Sequence, residues 1–264
     1  MKNLLTKTFF LPIVLLLTGT AFFFSACNKD DVEVERAMHI LINGYHGGEH
    51  PLVIAIDTTV FDHKNGDFMI QPQSNIHFTT AYSYKIPKKR LVTLTDTVTK
   101  KVVYSAQLPE NTIKVNFNYL YLDGKVQELT PPAADPNINK LGFYIYDKSI
   151  DFPIDISLQK VNATTGDIRK EYIAKNVLPG RWVYVDYLPL KDFDKSADLR
   201  SATVNFTKAN TDNEWAFDSD ETKSKLGAEG FFLPKLNDKG KVQPYFIAPK
   251  VPNQTFSRLF FYLD

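Results

Sequence analysis

Three observations predict an all-β chain made of two tandem antiparallel β-sandwiches. Short runs rich in Val, Ile, Thr, Phe and Tyr recur from residue 39 to the end, and turn-forming residues separate them. Nothing between the runs resembles the crossover helices that parallel strands need. A break holding Pro131, Pro132 and Pro136 then divides the runs into two sets.

In the first set, strands are expected at 39–43, 52–57, 68–71, 76–82, 90–95, 101–106, 113–122 and 126–129. Asn65-Gly66 and Asp123-Gly124 supply the positive φ of tight hairpin turns, so each is expected to join antiparallel neighbours. Strict alternation in Lys114-Val115-Asn116-Phe117-Asn118-Tyr119 assigns Val115, Phe117, Tyr119 and Tyr121 to a core face and Lys114, Asn116 and Asn118 to a wet one.

In the second set, strands are expected at 141–146, 154–161, 169–174, 182–188, 202–207, 231–233, 242–247 and 256–263, with Thr165-Gly166-Asp167 as a hairpin turn. The polar segment 208–230 reads as a long loop holding at most one helical turn. Pro51-Leu52-Val53-Ile54 and Pro153-Ile154-Asp155-Ile156 echo one another. Two copies of an immunoglobulin-like or transthyretin-like sandwich would give that echo, and so would chance.

Ahead of the strands lies a leader: Lys2 and Lys7, an apolar run from Phe9 to Leu17, and Ser25-Ala26 before Cys27, the chain's single cysteine. This is the layout of a secretion signal. An uncleaved spanning helix is the alternative for 8–26, but Pro12, the Thr18-Gly19-Thr20 break and the small residues before Cys27 favour cleavage. Phe24-Ser25-Ala26-Cys27 resembles a bacterial lipobox, with Phe24 in place of the usual leucine. The following Asn28, Lys29, Asp30 and Asp31 resemble the lipoprotein surface-export signal of the Bacteroidota. The resemblance implies cleavage before Cys27, acylation of its thiol and display on the outer membrane at the cell surface. The acidic residues 28–36 read as a flexible tether.

The expected organisation is therefore a signal peptide at 1–26, a lipidated tether at 27–36, a sandwich at 37–130, a linker at 131–136 and a second sandwich at 137–264. Removing the leader takes away Lys2 and Lys7 and leaves 29 basic against 30 acidic side chains. So balanced a chain has no field to attract nucleic acid. With Cys27 committed to lipid, no thiol remains for a disulfide, a metal or nucleophilic attack.

Chemical motifs are few. No phosphate loop, dinucleotide fingerprint or nucleophile elbow occurs, and no cofactor or metal site is expected. All five histidines, His39, His46, His50, His63 and His77, lie in the first half. His46-Gly47-Gly48-Glu49-His50 fits a zinc-peptidase string literally, yet two glycines and Pro51 oppose the helix that such a site needs, so a loop is expected. Asp218-Ser219-Asp220-Glu221 lacks the spaced ligands of a calcium loop and reads as solvated.

Alternation in 181–187 places Trp182, Tyr184 and Asp186 on one face, a candidate aromatic shelf for a sugar or a partner surface, with packing on both faces as the alternative. Lys85, Lys88, Lys89, Arg90, Lys100 and Lys101 offer a candidate basic patch for an anionic polysaccharide, or an ordinary charged hairpin end. Asp57-Thr58-Thr59 and Asp96-Thr97-Val98 resemble the O-glycosylation sites of secreted Bacteroidota proteins, marking Thr58 and Thr97. The functional expectation is a non-catalytic binding or accessory lipoprotein, for glycan capture or adhesion beside an outer-membrane protein. A carboxylate-dependent surface hydrolase and a structural spacer are the alternatives.

Overall fold

The computed structural model describes residues 35–62, 69–85, 90–211, 213–251 and 254–258. The leader, Cys27, Lys29, Asp30, Asp31 and the Asn65-Gly66 turn lie outside the described residues. The strands are β1 (Glu35–His46), β2 (Leu52–Ile56), β3 (Thr59–Phe61), β4 (Met69–Ile70), β5 (Ser74–Lys85), β6 (Leu91–Asp96), β7 (Val102–Gln107), β8 (Lys114–Leu122) and β9 (Lys125–Glu128). They continue as β10 (Asn139–Ile145), β11 (Ile154–Val161), β12 (Ile168–Val177), β13 (Val183–Tyr187), β14 (Ala202–Lys208), β15 (Lys225–Gly227), β16 (Val242–Val251) and β17 (Gln254–Arg258). One short helix, α1 (Ser196–Arg200), and a 3-10 turn at Ala228–Phe231 complete the described elements.

The fold is all-β and sandwich-like. Among the described residues four sheets form, with orders β5-β1-β8-β9 and β3-β2-β6-β7 in the first half and β13-β10-β16-β17 and β12-β11-β14-β15 in the second; β4 also pairs with β2. Taken in chain order, the second set of orders repeats the first strand for strand once β4 is set aside. The echo between Pro51 and Pro153 thus sits at matching places, before β2 and before β11. Residues 35–37 and 82–85 group apart from the rest, and within that small unit the Tyr82 and Tyr84 rings stack at 6.5 Å. All other described residues belong to the larger unit.

Within the larger unit, pairing is antiparallel except at the centre of two sheets. β1 runs parallel to β8, with His39 opposite Lys114 and His46 opposite Tyr121, and β10 runs parallel to β16. This corrects the expectation of wholly antiparallel sheets. No crossover helix is required, because the chain between each parallel pair is spent building the other strands of the sandwich. The hairpins follow their turn residues: Asp123 and Gly124 take φ of 53° and 72° between β8 and β9, and Gly166 takes 75° between β11 and β12.

Each sandwich buries its inward strand positions. In the first, Ile54, Ile56, Val92 and Leu94 are sealed, and Tyr104 of β7 stacks on Tyr119 of β8 at 5.0 Å. In the second, Phe143, Ile156, Val204, Phe206 and Phe217 form one apolar cluster, and Phe231 stacks on Tyr245 at 4.1 Å. The expected strand at 231–233 is instead the end of the 3-10 turn, after which Phe232 adopts φ of 52°.

β8 corrects the simple core-and-wet reading. Its final turnward residues are buried on both faces, since Leu120 and Leu122 join Tyr45, Tyr144, Phe246 and Ala248 in a separate apolar cluster. Tyr45 lies 4.5 Å from Phe246 and Tyr144 lies 5.8 Å from it. This cluster joins strands of the first half to strands of the second.

Candidate functional site

At the C-terminal end of β1 the chain leaves the sheet at His46, and the loop 47–50 beyond it forms one wall of a cleft of about 410 Å³. The loop's shape comes from an unusual histidine. His46 is fully buried, its Nδ1 accepts from the Gly48 N–H at 3.3 Å, and its Nε2–H donates to the His50 carbonyl at 2.7 Å. A carbonyl only accepts, so the ring is the neutral Nε2–H tautomer. Burial accordingly lowers the His46 pKa.

The glycines are required by space. A Cβ on Gly48 would stand 2.7 Å from the His46 ring and 2.8 Å from the Tyr121 ring. Tyr121 itself stacks on His46 with centroids 5.5 Å apart. Gln73 fixes the loop from outside, its amide donating to the Gly47 and Gly48 carbonyls at 2.8 and 3.2 Å.

Opposite the loop lies Asp96, at the end of β6. Its carboxylate accepts the N–H groups of Val98 and Thr99 at 2.9 and 2.8 Å and faces His50 Nδ1 at 3.1 Å. These hydrogen bonds, led by Thr99, hold the Asp96 pKa down to about 2. Glu49 is exposed at the rim.

The far wall belongs to the β8–β9 turn and to the end of β10. Asp123 pairs with Lys148 and accepts the Tyr146 hydroxyl at 3.3 Å. Burial raises the pKa of both Tyr121 and Tyr146, so the two phenols remain hydrogen-bond donors at neutral pH. Asp123, Tyr146 and Lys148 also border a second hollow of about 430 Å³, which continues to Gln127, Tyr144 and Gly180. The result is a polar, shallow, phenol-bearing surface with the Asp123–Lys148 ion pair on its far wall.

The aromatic shelf is packed against neighbours. Trp182 and Tyr184 do share a face and stack at 6.0 Å, but Trp182 also meets Tyr144 edge-on at 5.4 Å and belongs to the apolar cluster between the halves. Tyr184 lies over Gly142, where a Cβ would come within 2.5 Å of its ring. Val183 and Val185 pack on the second core, so β13 is covered on both faces over most of its length. Asp186 is exposed and takes Lys140 at 2.8 Å.

The other candidates separate as follows. His46 ends β1 and residues 47–50 form a loop and not a helix, and no group of three or more His, Cys, Asp or Glu among the described residues is placed to hold a metal. Arg90 is 3% exposed, its guanidinium donating to the Pro109 carbonyl, which removes it from the basic patch; Lys88 and Lys89 lie outside the described residues. The acids of 218–221 are engaged with Lys223, Lys225 and Thr222. Thr58 is exposed in the β2–β3 turn, whereas the Thr97 hydroxyl donates to the Pro51 carbonyl at 2.9 Å.

Sequence reading did not find Tyr121, Tyr146, Asp96, Asp123 and Lys148 as a site. Residues so far apart in the chain carry no spacing signal, and only the register of β1 on β8 brings His46 to Tyr121. Among the described residues no helix is long and apolar enough to cross a membrane. Neither a known protein family nor a curated protein sequence matches this chain.

Proposed function

We infer that the protein is a lipid-anchored lipoprotein of the outer membrane, displayed at the cell surface, which captures glycan without chemically altering it. The lipobox at 24–27 and the export signal at 28–31 support the address. The observation that carries the binding role is the cleft around Tyr121 and Tyr146, where two phenols stand beside the His50–Asp96 hydrogen bond and the Asp123–Lys148 ion pair. Such a surface offers ring faces to sugar carbons and a dense set of donors and acceptors to hydroxyls.

Asp96 is the most deeply set carboxylate of the cleft, and the N–H donors around it keep it ionised, so it is a hydrogen-bond acceptor for sugar hydroxyls. Of the two O-glycosylation candidates, Thr58 is the exposed one, in the β2–β3 turn. The intact mass of the secreted protein tests that modification.

The test of the cleft is a glycan array probed with the detergent-solubilised full chain. Substituting Tyr146→Ala or Tyr121→Ala is expected to weaken every positive signal from an uncharged glycan by about tenfold, the loss of one aromatic contact and its hydroxyl. Unchanged signals in both variants, or no bound glycan at all, would end this reading.

A further inference from the structure

The outer face of the β12-β11-β14-β15 sheet carries a second arrangement that the cleft does not use. Register sets Tyr172 opposite Ser157, Ser157 opposite Asn205 and Asn205 opposite Lys225, so these four form one row across the sheet. They alternate with Ile156, Leu158, Val204 and Phe206, which belong to the core, and the row therefore faces away from it.

Two features of this row point to a ligand. Ser157 and Asn205 are 0% and 2% exposed, and among the described residues neither Ser157 Oγ nor Asn205 Oδ1 has a hydrogen-bond partner. Asn205 does donate its amide to Gln159 at 2.7 Å, which leaves its carbonyl oxygen as the unpartnered atom of the side chain. Buried polar atoms are almost always partnered, so two vacant ones side by side on an outer face mark a place for an incoming donor.

The second feature is charge. Lys170 and Lys175 bring their ammonium groups to 5.0 and 4.1 Å from the centroid of the Tyr172 ring, and among the described residues neither pairs with a carboxylate. Lys170 is held there by the Asn213 side chain at 2.6 Å. Neither ammonium group has a counter-charge among the described residues, and a carboxylate at this edge would supply one. Two residues beyond Asn213, half-buried Trp215 bridges to Thr207 on β14.

We propose that this face binds an acidic glycan, a chain of uronate sugars lying across the row. A carboxylate meets Lys170 and Lys175 at the Tyr172 edge, and sugar hydroxyls donate to Ser157 Oγ and Asn205 Oδ1. Ser157 is fully buried, so admitting them requires its cross-strand neighbour Tyr172, 40% exposed on the outermost strand, to swing aside. This site is independent of the cleft and goes beyond neutral glycan capture there.

The probe is polygalacturonate, titrated against the detergent-solubilised full chain, with its fully methyl-esterified form as the uncharged comparison. Binding is expected for the acid polymer, about tenfold weaker for the ester, and about tenfold weaker for the Lys170→Gln/Lys175→Gln double variant. It is also expected to fall between low salt and about 0.5 M. Both lysines are surface groups, and an unchanged melting temperature verifies that the variant folds. Tyr146→Ala in the cleft leaves this binding intact. Equal affinity for the ester, no binding of either polymer, an equal loss in a Lys100→Gln/Lys101→Gln control, or a loss caused by Tyr146→Ala instead, would each overturn the assignment.

Discussion

His46 shows how one side chain shapes a loop. Buried and neutral, it accepts from Gly48 and donates to His50, and its lowered pKa makes it a point of pH sensitivity. The unfolded chain takes up a proton below about pH 6.5, while the folded chain resists until its lower pKa is reached. Stability from this group is thus complete above about pH 6.5, falls as the pH drops beneath it and is lost once the lower folded-state pKa is passed. Urea unfolding between about pH 8 and about pH 5 should show the decline, and a His46→Gln variant, less stable at the higher pH, should show a shallower one. Gly44 offers a cleaner steric test. At φ of 155°, a Cβ there would overlap the Tyr119 carbonyl oxygen, so Gly44→Ala must push β1 off β8. A loss of about 3 kcal/mol in denaturant unfolding is expected, and a loss under about 1 kcal/mol would show that the strands are not held this closely.

At the scale of elements, β8 carries both halves of the molecule. Its alternation is legible as a core face, and Tyr119 does lie in the core. The opposite face at Leu120 and Leu122 is dry because Phe246 and Tyr144, from strands far along the chain, cover it. Cutting Phe246→Ala in this cluster removes a ring with three aromatic neighbours, Tyr45, Tyr144 and Tyr146. It should cost about 3–5 kcal/mol by calorimetry or denaturant titration. A loss confined to a few tenths would mean that the cluster is not cohesive. β13 obeys the same logic: from sequence Trp182 and Tyr184 alternate as well as any exposed pair, and only Tyr144 and Gly142 beneath them decide that they are half covered. The turn at 228–231 escapes sequence reading for another reason, because its apolar residues Phe231 and Leu233 have strand character, while the Ala-Glu-Gly before them closes into a tight turn.

For the whole molecule, the repeated strand order is the principal architectural result. Two sequences with scarcely visible likeness take the same order of strands, since sandwich topology asks only for alternating apolar residues and turns at suitable intervals. The proposed anchor makes a prediction at this scale. The mature protein should begin at Cys27 with an added acyl mass, and Cys27→Ala should leave the membrane fraction, because reversible binding by a protein surface is far weaker than several buried acyl chains. A native chain beginning at Met1, or a free thiol at Cys27, would remove the surface address and the glycan-capture role drawn from it.

Sequence alone determined the all-β class, most strand positions and the two hairpins at Asp123-Gly124 and Thr165-Gly166, because these depend on neighbours within a few residues: side-chain alternation and backbone φ. The parallel pairs β1–β8 and β10–β16, the second dry face of β8, the cleft and the row from Tyr172 to Lys225 were decided by tertiary structure. Each joins residues whose separation in the chain leaves no periodic trace, and their meeting is set by strand register and by which apolar faces are left to cover one another.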